Sequence, residues 1–173
     1  MILGQAVKIK EAKGFSLVEL VIAIGVLGIV LAIAAPNFNK YNQNTNLQEA
    51  ARDISSDISL WKQRAVSENI SYQIRFDTAA NNYTIWNEIL DANGLRTGTY
   101  AQLVANTKAV GAGYSSIKIS GTPSFFPGGV PTITLDPRGT SGNGSVVIIN
   151  KILSKATITT NPMGRVHVEY SLQ

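Results

Sequence analysis

From Leu20 to Ala35 the chain runs for sixteen residues without a charge, and a single acid, Glu19, stands directly before that run. Nothing comparable recurs later in the sequence. Phe15 to Ala35 makes 21 residues, about 31 Å of α-helix, close to the thickness of a bilayer's hydrocarbon layer. The segment therefore reads as one membrane span. A carboxylate near the middle of such a layer costs about 2.5–3.5 kcal/mol unless it is protonated or paired. No Lys or Arg lies between Gly14 and Lys40, so a cationic partner for Glu19 has to be supplied by another group, and a newly made amine would serve.

Ahead of the span, residues 1–14 carry Lys8, Lys10 and Lys13 against Glu11 alone, in a chain whose formal net charge is +4. A basic head before an apolar stretch has the layout of an export signal, and the positive-inside tendency holds the lysines in the cytoplasm with the bulk of the chain outside. An ordinary secretory signal ends in a small-residue cleavage site. Here Ile33, Ala34, Ala35 and Pro36 run straight into a polar helical pattern. Gly25, Gly28 and Pro36 weaken helical propensity or hydrogen bonding and are expected to interrupt the helix.

After Pro36 the residues turn polar, but Leu47, Ala51, Ile54, Ile58, Trp61 and Ala65 recur at alternating spacings of four and three. That is one apolar stripe on an amphipathic helix. Arg52, Asp53, Asp57, Lys62, Gln63 and Glu68 are assigned to its solvated faces. The stripe needs a partner surface, and strand patterns supply one. Tyr72, Ile74 and Phe76 alternate with polar residues, then a turn leads to Tyr83 and Ile85. From Asp91 to Pro131 the sequence is rich in Gly, Asn, Thr and Ser and reads as largely irregular and exposed, with one strand at 116–120 and a Pro-Gly loop at 121–131. Short strands follow at 132–135, 145–150, 156–160 and 165–170. Two of the connections, Asp136-Pro137-Arg138-Gly139 and Asn161-Pro162-Met163-Gly164, have the composition of type I turns.

The expected fold class is α+β, with a long N-terminal helix, apolar and membrane-spanning in its first half and amphipathic in its second, packed on a C-terminal antiparallel β domain. The expected division is a leader at 1–14, a span at 15–36, an amphipathic helix at 37–68 and a β-rich outer domain at 69–173. With no cysteine and one histidine, Cys/His zinc sites, thiol chemistry and disulfide frameworks are set aside. There is no phosphate-binding loop and no His-Glu-x-x-His. The chain is read as a non-enzyme without cofactor or metal. His167, between Val166 and Val168, belongs on the outer face of its strand, and Trp86 sits out of phase with Tyr83 and Ile85.

The run Lys13-Gly14-Phe15-Ser16-Leu17-Val18-Glu19 followed by apolar residues resembles the class III signal of type IV pilins and type II secretion pseudopilins. The long helix, the hairpin and the segments Thr-Leu-Asp-Pro-Arg-Gly and Gly-Arg-Val-His-Val resemble the GspH/FimT branch of minor pilins and pseudopilins. The resemblance implies cleavage between Gly14 and Phe15 by a prepilin peptidase, methylation of the Phe15 amine, and pairing of that amine with Glu19 of a neighbouring subunit. It implies other pilins or pseudopilins and an inner-membrane assembly platform as partners, a separate motor, and a filament in the periplasm or at the cell surface. Pro36 is assigned to a stretch that melts during assembly. A second reading is DNA uptake, for which Arg165, Lys151 and Lys155 are the candidate phosphate contacts. Some FimT-like relatives have an arginine two places after the Gly-Arg pair, where this sequence has His167. A third is a single-span protein whose outer β domain binds an unrelated partner.

Overall fold

The computed structural model describes residues 14–111, 113, 116–120 and 131–173. The expected leader, apart from Gly14, and most of the expected Pro-Gly loop lie outside them. The described residues form two compact units that meet between Asn39 and Lys40.

A single helix, α1 (Leu17–Glu68), passes through both. Gly25, Gly28 and Pro36 do not interrupt it, contrary to the expectation from their propensities. Pro36 removes one N–H and stays within the helix. In the first unit the apolar side chains are not packed on other described residues, and Leu20, Val21, Ile24, Leu27 and Leu31 are all more than half exposed. This stretch holds an eighteen-residue window of mean hydropathy 2.8, long and apolar enough to cross a membrane.

The second unit is where α1 finds its partner surface. Four strands, β1 (Tyr72–Asp77), β2 (Asn82–Leu90), β3 (Arg96–Ala109) and β5 (Thr132–Leu135), form one sheet in the order β3-β2-β1-β5. The others, β4 (Lys118–Ser120), β6 (Gly144–Ile149), β7 (Lys155–Thr160) and β8 (Val166–Ser171), form a second in the order β4-β6-β7-β8. All pairings are antiparallel. All six stripe residues, Leu47, Ala51, Ile54, Ile58, Trp61 and Ala65, are buried in one core with Ile74, Phe76, Ile85 and Leu135 of the first sheet and Val146, Ile148 and Ile158 of the second. Each large apolar side chain buried this way contributes about 1.5–3 kcal/mol. The Trp61 and Tyr72 rings lie 5.1 Å apart, which fastens helix to sheet at the edge of the core. The α+β expectation is borne out.

The region from Asp91 to Pro131 is a correction. It contains β3, the longest strand, where an irregular exposed segment was expected. Among the described residues β3 pairs with β2 alone, at the edge of its sheet, and two register shifts break the alternation. Its residues 96–99 and 107–109 are exposed, so no periodic apolar pattern marks it in the sequence.

The two Asx-Pro-x-Gly turns form as read. Gly139 N–H donates to the Asp136 carbonyl at 2.9 Å and Gly164 N–H to that of Asn161 at 2.8 Å, with φ of +77° and +69° at the glycines. The turns also stack on each other. A Cβ on Gly164 would come within 2.3 Å of the Gly139 carbonyl oxygen. Lys62 of α1 reaches the same point and donates Nζ to the Gly164 carbonyl at 2.9 Å. Gly164→Ala should therefore destabilise the fold by more than about 2 kcal/mol, through the left-handed backbone and the clash together. Chemical denaturation should show a lowered midpoint, and an unchanged one would contradict the stacked arrangement.

Candidate functional site

The sequence points first to the start of α1. Gly14 and Phe15 precede the helix, and the Phe15 ring is 84% exposed. Glu19 lies in the first turn, one helical turn beyond Phe15. A carboxylate there is favoured by the unpaired N–H groups and the positive end of the helix dipole. Among the described residues the Glu19 carboxylate has neither hydrogen bond nor ion pair, and along α1 the first cation is Lys40, well beyond the apolar run. The site is thus an acid at the head of an apolar helix whose counter-charge this chain's helix does not supply.

Among the described residues two other carboxylates, Asp57 and Glu88, are buried, and both are held by internal partners. Asp57, assigned above to a solvated face, is buried, which corrects that reading. It accepts from the Tyr83 hydroxyl at 2.6 Å and pairs with Lys108 Nζ at 2.6 Å, so the helix is tied to β2 and β3 at once. Burial and the hydrogen bond to Asp57 push the Tyr83 phenol far above its usual value. Lower on the helix, the Tyr72 hydroxyl bonds to Glu68. Burial first, and then that carboxylate, push Tyr72 up to about 12.

Glu88 was not singled out in the sequence. It is only 4% exposed and gathers Arg96 at 2.7 Å, Ser71 N–H at 3.2 Å and Gly98 N–H at 3.1 Å. Burial alone would raise its pKa, but the guanidinium and the two backbone donors outweigh it and hold the carboxyl below the usual glutamate value. Arg96 also bonds Ser71 and reaches Asp136 at 3.5 Å, which joins the first sheet to the Asp136 turn. Among the described residues no group of three metal-ligating side chains occurs.

The candidate phosphate contacts are not brought together. Lys155 opens β7 opposite Ser171, and Lys151 lies in the turn just before it. Arg165 follows Gly164 at the other end of the β7–β8 hairpin, beyond the Thr160–Val166 pair. Six residues of strand separate the two ends by about 17 Å. His167 is exposed, as its alternation implied. Trp86 is half-buried under the Arg75 guanidinium, 3.8 Å from its ring centre, and its indole N–H donates to Thr84.

Residues 50–164 match the family described as type II transport protein GspH, and residues 9–35 match the prokaryotic N-terminal methylation motif. Two fimbrial proteins of Pseudomonas aeruginosa are each 38% identical over 47 residues, 27% of this chain and 30% of theirs, so the matched stretch spans less than a third of those relatives. The fold is similar to that of the minor pseudopilin EpsH from the type II secretion system of Vibrio cholerae, with a TM-score of 0.53 at 12% identity over 72% of this chain and 97% of that one. It is also similar to the type IV minor pilin FimU of Pseudomonas aeruginosa, with a TM-score of 0.51 at 16% identity over 75% and 92%.

The Glu88 cluster makes a pH prediction. A carboxyl whose folded pKa lies below its unfolded value adds stability above the unfolded pKa and loses that contribution as pH falls through the folded one. Glu88→Gln should cost about 2 kcal/mol at pH 7, in line with charged hydrogen bonds to a buried group. The gap between variant and parent should close in strong acid. Urea unfolding at pH 7 and pH 3 checks this, and a gap independent of pH would contradict the assignment.

Proposed function

The chain belongs to the type II transport protein GspH family of minor pilins and pseudopilins, and from that premise we propose how it works: as a filament subunit assembled through α1. Its role is structural. The observation that carries the proposal is Glu19, an acid set at the head of a charge-free apolar helix, four residues after Phe15 and with no cation within reach on its own helix. Cleavage of the Gly14–Phe15 bond by a prepilin peptidase creates an ammonium at Phe15, which the family's chemistry then methylates. In a bundle of such helices the amine of one subunit meets Glu19 of the next, and pairing offsets the desolvation of both.

Before assembly the chain is anchored by one span, with its first residues in the cytoplasm and residues 69–173 outside. Moving residues 17–35 from lipid into a core of similar helices keeps their apolar surface out of water, so the transfer forfeits little hydrophobic free energy. Other pilins, the peptidase and an inner-membrane platform are the partners. No catalytic role is assigned to the chain, and work against the membrane comes from a separate motor. Pro36, which lacks an N–H to hold the helical ladder there, is the point where α1 opens during assembly.

Mass spectrometry of the protein from cells should give a mature chain starting at methylated Phe15. A chain that polymerises with residues 1–14 still attached would overturn the processing step. Glu19→Ala should insert into the membrane normally but enter filaments more than about tenfold less, the ratio set by about 1.4 kcal/mol. Equal incorporation, measured by quantitative immunoblotting of sheared filaments, would remove Glu19 from the assembly contact.

A further inference from the structure

The turn joining β6 to β7, Asn150 to Ser154, combines a rigid root with an apolar, strained tip. At the root, Asn150 and Ser154 are buried. Asn150 donates Nδ2 to the Gln43 carbonyl and to Asn44 Oδ1, both at 3.2 Å, and Ser154 Oγ meets Asn44 Oδ1 at 2.7 Å. The backbone N–H of Gln173 adds a bond to Ser154 Oγ at 2.9 Å. Asn150 Oδ1 also accepts from the N–H groups of Ile152 and Ser154, which shapes the turn from within.

At the tip, Leu153 has φ of +65° and is 65% exposed. Among the described residues every other position with positive φ is Gly or Asn, the types that adopt this conformation at little cost. A leucine here is strained by its Cβ and stays mostly exposed among the described residues. Two unfavourable choices at one residue point to an external contact that rewards an apolar side chain. Lys151 and Lys155 flank the tip and are exposed, and Leu172, close by through Gln173, is 45% exposed. Glu169, two residues before Ser171, is the acid on the adjacent strand.

The chemistry of the contact follows from where the root is fixed. Lys40 is the first charge after the apolar run, so the chain has left hydrocarbon by that residue. Asn44 follows Lys40 by four residues, about 6 Å of helix. That is about the depth of a headgroup layer. Tyr41, 70% exposed, supplies an aromatic side chain of the kind enriched at that level. Apolar groups beside lysines are the combination that binds an anionic lipid surface. We propose that Leu153, flanked by Lys151 and Lys155, docks the β domain onto anionic headgroups of the membrane that anchors the chain, before assembly.

This rests on the membrane-anchored reading above, and the test separates the two. The chain contains no cysteine, so single labels are clean. Full-length Leu153→Cys and Met163→Cys, each carrying an environment-sensitive fluorophore, are reconstituted into vesicles of phosphatidylcholine with or without phosphatidylglycerol. Met163, 77% exposed in the opposite turn, is the water-facing control. In anionic vesicles the probe at 153 should shift to the blue, be quenched by a headgroup-level spin-labelled lipid, and be quenched by aqueous iodide severalfold less than the probe at 163. Neutral vesicles, or Lys151→Ser with Lys155→Ser, should abolish the difference.

Equal iodide quenching at both positions in anionic vesicles would overturn the proposal. So would shielding from iodide without lipid quenching, which would indicate a protein contact. A chain that alkaline carbonate extracts from the vesicles would sink the anchored reading, and this proposal with it. In unlabelled protein, Leu153→Asn should raise Tm by relieving the backbone, and in a second, labelled chain that carries Leu153→Asn a probe at Ile152→Cys should become more accessible to iodide on anionic vesicles. A lowered Tm would mean that Leu153 serves internal packing, and would count against the docking role.

Discussion

The burial of one helical stripe holds the β domain together. Leu47, Ala51, Ile54, Ile58, Trp61 and Ala65 are the apolar surface shared by both sheets, and a four-stranded antiparallel sheet with one apolar face requires such a cover. The same helix carries, in its first half, apolar side chains that stay exposed among the described residues. One continuous element thus serves two environments. Both halves are α-helical, and it is the side-chain chemistry that differs between them.

Polar ties at the margins of this apolar seam determine how the sheets are held to it. Asp57 links α1 to β2 through Tyr83 and to β3 through Lys108. Lys62 links it to the turn before β8, and Asn44 to the β6–β7 turn. Each uses a group that the core cannot accommodate unpaired. The Glu88 cluster does the same between strands, joining β2, β3, the residue that precedes β1 and the turn that follows β5. Buried charge in this domain is therefore a positioning device. Glu19 stands apart from it, since no counter-charge pairs with it among the described residues.

How much of this the sequence discloses depends on whether a residue's role is local. The stripe, the first hairpin, the strands after residue 131 and both Asx-Pro-x-Gly turns follow from spacing or from turn chemistry within a few residues. Asp57 lies three residues after Ile54 and four before Trp61, so the spacing that marks the stripe also includes it. Polarity argued for solvent, and its burial is made tolerable by Lys108, 51 residues away, and by Tyr83, 26 residues away. Glu88 is hidden by the register shifts of the β2–β3 pair, which carry the inward phase from Tyr83 and Ile85 to an even-numbered residue. β3 is an edge strand without an apolar rhythm. The lysines and arginine grouped near the end of the sequence separate in space because a strand runs between them.

The placement of the ties along α1 has a mechanical consequence. Asn44, Asp57 and Lys62 anchor one helix to three different parts of the domain. A pull along the helix axis loads these anchors and the interlocked stripe in parallel, as shear, where peeling would break them one after another. Rupture then requires the seam to fail as a whole, so the joint resists axial tension better than the strength of any single tie would suggest.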